Sequence, residues 1–221
     1  MTLRTVTIIL FALVINTYAS SVQAKEKSTK PAGYTYGNRS LEKAPFTLAD
    51  LEKLKATVLF TEEDAKWLRK SRKVLEPHAE EILDTWYGFV GSTPHLLAYF
   101  SSADGKPDGQ YLARVRARFI KWIYDTADAD YDQDWLNYQY EIGKRHHRIG
   151  KNKIDNAKAV DHIHGRYVVA LTYPVTATLK PFLERSDYSP EEVNKMHQAW
   201  IKSVLIQSIL WTEPYFKKGD F

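Results

Sequence analysis

Tyr131-Asp132-Gln133-Asp134-Trp135-Leu136-Asn137-Tyr138-Gln139-Tyr140-Glu141-Ile142-Gly143-Lys144-Arg145-His146-His147-Arg148 is the stretch on which the fold turns. Wound as a helix at about 100° per residue from Tyr131, it places Trp135, Tyr138 and Ile142 within about 40° of Tyr131 itself. His146 falls at about 60°, on the edge of that apolar face, and His147 at about 160°, toward solvent. One imidazole is therefore turned inward among aromatic side chains, and its neighbour is turned out. An inward histidine on such a helix can ligate iron. A core histidine bonded to a carbonyl gives the same pattern, and spacing alone favours that simpler reading.

Outward from this stretch the chain reads as one helix after another. Thr47 with Asp50 can cap a short helix, and Thr61-Glu62-Glu63-Asp64 opens the next. Pro77 suits the first turn of a third, running to about Val90. Thr93-Pro94 starts a short piece, which ends before a Gly- and Pro-bearing loop from Ser101 to Gly109. Tyr111 to Asp125 carries Leu112, Val115, Phe119, Trp122 and Ile123 on one face. A polar loop from Gly150 to Asn156 leads to a long helix predicted from Val160 to Leu183, kinked at Pro174. Ser189-Pro190-Glu191-Glu192 starts a last helix that runs to about Trp211. No segment alternates with period two and no hairpin turn or internal repeat is found, so one all-α domain is expected.

Composition narrows the chemistry. The chain of 221 residues is 44% hydrophobic and 26% charged, with a formal net charge of +4. It can build one sizeable core, and its scattered Lys and Arg form no nucleic-acid stripe. It has no cysteine, which excludes disulfides, thiolate metal sites, cysteine nucleophiles and a haem attached through C-x-x-C-H. There is no phosphate loop and no G-x-S-x-G elbow. His162 and His164 would sit on different sides of a helix, a poor metal site. Trp86-Tyr87, within Ile82 to Val90, is a second place to weigh. A tyrosine hydroxyl aimed into an apolar pocket can donate to a bound ligand, although pattern alone favours ordinary aromatic core.

The N-terminus has the layout of a secretory signal. Arg4 precedes an apolar run from Val6 to Ile15, and Val22-Gln23-Ala24 loosely fits a small-x-small cleavage site before Lys25. The run is about half the length of a spanning helix. The expected organisation is a signal peptide over 1–24, an irregular extension over 25–46 packed down by Tyr34, Tyr36 and Phe46, and a domain over 47–221. Cleavage would leave no stable membrane span.

Several stretches resemble the protoglobins. They are Gly33 to Gly37, Asp84 to Ser92, Tyr131 to Arg148, Tyr173-Pro174-Val175-Thr176-Ala177-Thr178, Lys180-Pro181-Phe182 and the tail Gly219-Asp220-Phe221. The resemblance spans about Gly33 to Phe221. It implies a globin fold with an additional N-terminal helix and extension, and a non-covalent haem b with His146 as the proximal, metal-binding ligand. It places Trp86 and Tyr87 on the distal side, Val115 and Phe119 facing the haem, Arg118 as a propionate partner, and Leu171 and Val175 along the pocket. The family often carries Phe where this chain has Leu171, which implies a wider cavity. The implied function is reversible binding of O2, CO or NO at a five-coordinate iron, for gas binding or sensing. The alternatives are an enzyme acting on NO, nitrite or peroxide and, further off, a haem-free helical interaction domain. Tyr111 to Asp125 contains no histidine, so a peroxidase's distal acid–base group is missing there. A homodimer through the last two long helices is also implied, with a redox or signalling partner left unnamed. Export departs from the cytoplasmic setting associated with the family and would favour Fe(III).

Overall fold

The computed structural model describes residues 30–102 and 104–221, so the expected signal segment over 1–24 lies outside the described residues. The helices of the described residues belong to one unit, Ala32–Phe221. Helix starts are set by local chemistry. Helix α1 (Leu48–Thr57) and α2 (Glu62–Leu75) begin at Thr47 and Thr61, each locked in a reciprocal capping box with Asp50 or Asp64. Helix α3 (Ala79–Gly91) continues from a 3-10 turn holding Pro77, and α4 is the short Pro94–Leu97. The side chains of Asp108 and Asp132 cap α5 (Gly109–Asp128) and α6 (Gln133–His146). Two further helices, α7 (Gly165–Ala170) and α8 (Thr172–Leu183), precede α9 (Pro190–Trp211), which opens with the Ser189–Glu192 box and Pro190 at its first position. Among the described residues extended pairing is confined to two isolated bridges, Ser101–Pro107 and Ser102–Ala159.

The long helix predicted from Val160 differs in two ways. Residues 157–164 are not helical, and the helix breaks at Leu171, ahead of Pro174. Both have causes. The N–H of Ile163 donates to the carbonyl of His146 (3.0 Å), so this stretch closes the open end of α6 and cannot also wind. Pro174 has no N–H for the carbonyl of Ala170, four residues back, and its ring crowds that carbonyl, so the ladder is interrupted one turn upstream.

Helix α9 packs on α2, α6 and α8, and α5 packs on α2 and α3. Leu68, Leu75, Leu83, Leu136, Leu183, Trp200 and Ile206 are sealed between them. Several polar groups inside this core are paired with one another. Trp122 donates to Gln207 (2.6 Å), Gln207 to Thr126 and Ser203 (3.2 Å each), Tyr131 to Ser203 (2.8 Å) and Trp200 to Ser71 (2.8 Å). The link between α5 and α6 is tight enough to hold Ala129 and Tyr131 at positive φ (55° and 47°), at a cost of roughly 1–2 kcal/mol each. Tyr131 is kept there by its ring packing on Trp135 (4.8 Å) and Phe60 (5.2 Å).

The extension is anchored as its aromatics suggested. Tyr34 donates to both carboxylate oxygens of Asp125 (2.8 Å each), Tyr36 stacks on Tyr138 (5.4 Å, 14°), and Phe46 enters the core. No helix among the described residues is long and apolar enough to cross a membrane.

Candidate functional site

α3, α5, α6 and α8 contribute to the walls of a cavity of about 230 Å³. Trp86, Tyr87, Val115, Arg118, Phe119, His146, Leu171 and Val175, all singled out from sequence, line it together. The Phe119 ring lies 5.9 Å from that of Trp86 and 5.1 Å from that of Trp122, both edge-on, so this wall is rigid and aromatic.

His146, the last residue of α6, is the only imidazole on this wall among the described residues. Its Nδ1 lies 2.8 Å from the carbonyl of Ile142, one turn back. A carbonyl only accepts, so Nδ1 carries the proton and Nε2 keeps its lone pair. Burial lowers the pKa of His146, and nearby Lys151 and Arg145 act in the same direction, outweighing the Ile142 bond. The imidazole is cut off from bulk water by the cavity wall it forms part of. The ring is held nearly parallel to the indole of Trp211 (5.3 Å, 13°), whose N–H is fixed by Gln139 (2.8 Å). A neutral imidazole with a defined tautomer and an oriented lone pair is what a metal requires of a histidine ligand.

His147 does not simply point to solvent. It is half-buried, edge-on to His162 (5.0 Å) and Tyr215 (4.9 Å), because the non-helical stretch after residue 156 folds back over the end of α6. It does not line the cavity.

Tyr87 reaches the cavity from α3. Its hydroxyl is buried and has no hydrogen-bond partner. Burial raises its pKa well above the ordinary tyrosine value, so it remains an O–H donor at any physiological pH. An unsatisfied buried hydroxyl costs roughly 1–3 kcal/mol, a cost that a ligand in the cavity would remove. Arg118 is engaged at the margin: it grips buried Asp155 through both guanidinium ends (2.9 and 2.5 Å) and donates to the carbonyl of Ala32 (2.8 Å). Arg145 donates to the carbonyl of Gly33 and the hydroxyl of Thr35 (2.8 and 2.9 Å). Two guanidinium groups thus lie where the extension meets the cavity. Trp211, Thr172, Asp155 and Arg145 line the site too and were not singled out from sequence. Trp211, Thr172 and Asp155 are brought in by tertiary contact, whereas Arg145 comes with its neighbour His146 on α6.

An apolar cavity walled by helices, with one neutral, oriented imidazole and one unsatisfied phenol, defines a globin-type cofactor pocket. The family model for Protoglobin matches residues 47–221, and the chain belongs to that family. The globin domain of the Geobacter sulfurreducens globin-coupled sensor is similar in structure (TM-score 0.59, 20% identity, covering 75% of this chain and 97% of that one). No curated protein gives a significant match. The chain is therefore a globin of a family that in general binds haem, and the residues of the cavity fit that group: His146 for the iron, aromatic and aliphatic walls for the ring, and Arg118 and Arg145 at the margin for its carboxylates.

Proposed function

We propose that the protein holds haem b non-covalently and binds O2, CO or NO reversibly. When bound, haem would supply an iron able to take up a diatomic ligand. His146 would hold that iron through Nε2, while the Ile142 carbonyl and the Trp211 ring fix the imidazole's tautomer and plane. Trp86, Val115, Phe119, Leu171 and Val175 exclude water. Tyr87 offers its hydroxyl to the ligand, and the N–H groups that Arg118 does not spend on Asp155 and Ala32 are available to a haem propionate. The observation that carries this reading is the His146 imidazole, neutral, with Nδ1 bonded to its own helix and Nε2 unclaimed, in the same cavity as the unsatisfied Tyr87 hydroxyl.

Binding is favoured over peroxide chemistry because, among the described residues, the cavity wall holds no second histidine and one carboxylate, Asp155, which is tied to Arg118. The purified protein should be red with a Soret band. His146→Ala should lose haem or need added imidazole to keep it, and His147→Ala should leave the spectrum nearly unchanged. The reverse pattern would sink the assignment.

Two further parts of the reading rest on less. The signal-like residues Arg4, Val6 to Ile15 and Ala24 support export to the periplasm or medium, checked by finding Lys25 as the N-terminus of exported protein. A groove between α8 and α9, flanked by Tyr173 and Ile201, supports a homodimer, checked by sedimentation equilibrium.

A further inference from the structure

Ser and Thr in a helix ordinarily spend their hydroxyl on a carbonyl three or four residues back. This chain keeps to that habit. Thr57 donates to the carbonyl of Lys53 (2.8 Å), Thr85 to Glu81 (3.1 Å), Thr176 to Thr172 (2.9 Å) and Thr178 to Pro174 (2.8 Å). Thr172 is different. Its hydroxyl oxygen is buried and has no partner. The break at Leu171 explains why: Thr172 is the first residue of α8, and the residue four back, Val168, lies in α7. Four buried side-chain atoms lack a partner among the described residues, on Trp67, Tyr87, His162 and Thr172. Tyr87 and Thr172 line the cavity, and Trp67 and His162 do not. The cavity therefore holds two unsatisfied hydroxyls, brought in by two different helices.

We infer that Thr172 is a second hydrogen-bond donor to the ligand in this cavity and that, with Tyr87, it sets selectivity for ligands that gather negative charge on binding over those that do not. The inference rests on the haem-binding reading above. O2 gathers such charge and CO gathers little, so O2 gains from both donors. In a site of low dielectric each hydrogen bond counts for more than in water. Two donors on separate helices could meet a small ligand from two directions, which one phenol cannot do. The helix break is then what releases the Thr172 hydroxyl from its own backbone.

The test compares ferrous, haem-loaded wild type with Thr172→Val, Thr172→Ser, Tyr87→Phe and the Tyr87→Phe/Thr172→Val double variant. It reads O2 and CO dissociation by stopped flow and the C–O stretching frequency of the CO complex. Thr172→Val, which keeps shape and loses the hydroxyl, should speed O2 release about three- to tenfold and raise the C–O frequency, with CO release changed less than twofold. Thr172→Ser should restore both. The double variant should release O2 faster than either single one. If Thr172→Val does not load haem, Thr172→Ala is read in the same way. A wild type with a Soret band whose O2 rate and C–O frequency do not respond to loss of the Thr172 hydroxyl overturns this inference and leaves the haem reading standing. A wild type without a Soret band overturns the haem reading itself, and this inference with it.

Discussion

Asp125 is a buried residue of α5 that accepts from the Tyr34 hydroxyl, and burial pushes its carboxyl up to about 6, although the Tyr34 hydroxyl bonds and Lys121 pull the other way. The folded protein thus holds this proton more tightly than the unfolded chain, whose value is near 3.8. The resulting stability is fully present below about pH 4 and is lost as pH rises to about 6. Asp125→Asn keeps an acceptor for Tyr34 and removes the titration. It should therefore unfold at a higher urea concentration than wild type at pH 7 and lose most of that advantage at pH 4, a swing of order 1–3 kcal/mol. An equal difference at both pH values would place the titration elsewhere. At this scale the sequence was informative where angle alone decides. The helical wheel turned His146 inward, and His146 lines the cavity. It was uninformative about Trp211, because a residue 65 positions away enters the site only through packing.

Helices α6 and α9 meet at a contact that only glycine permits. A Cβ on Gly143 would lie 2.9 Å from the carbonyl oxygen of Trp211 and 3.0 Å from its Cα, and both are backbone atoms with no rotamer to change. Gly143→Ala should push the helices apart, destabilise the protein by about 1–3 kcal/mol and disturb the stacking of His146 on Trp211. Gly88 in α3 is the control, since a Cβ there would meet nothing within 4 Å, and Gly88→Ala should stabilise by about 0.5–1 kcal/mol through helix propensity. Urea midpoints for the two variants should move in opposite directions; a shared direction would show that the close approach is not what matters. The caps at Thr47, Thr61 and Ser189 were legible in sequence because a cap is a contact between neighbours. The late start of the helix predicted from Val160 was not, because it depends on where the Ile163 N–H is spent, and that is a contact across the fold.

Over the whole molecule, the absence of period-two patterning and the order of helix signals were enough for an all-α domain, and the family match fixed which one. The cavity could not be drawn from periodicity, since its walls come from residues spread from Trp86 to Trp211. The core is also unevenly divided. One large cluster joins Leu51, Leu68, Leu83, Leu136, Leu183 and Trp200, while a small one of Trp86, Val90 and Leu96 borders the cavity, with Phe119, Tyr167, Leu171 and Val175 partly buried against it. Helix α3 straddles the two: Ile82 and Leu83 belong to the large cluster, Trp86 and Val90 to the small one.

That division has a consequence for the apoprotein. Most of the large cluster lies away from the cavity, which only Trp122 and Val204 of its buried residues line, so α2 and α9 should form a cooperative unit that stays closed when haem is stripped. The small cluster faces an unfilled space and has few neighbours to hold it, so the last turns of α3, with α4 and α7, should open by local unfolding at a much lower free energy. Amide hydrogen exchange followed by mass spectrometry on apo and holo protein should then show fast exchange over residues 86–100 and 165–171 in the apoprotein, slowed by haem, with α2 and α9 slow in both. Uniform protection in the apoprotein would mean that the cavity is rigid before anything enters it. On this account the chain folds most of itself first and leaves one soft side through which a flat, rigid cofactor can be taken in without unfolding the rest.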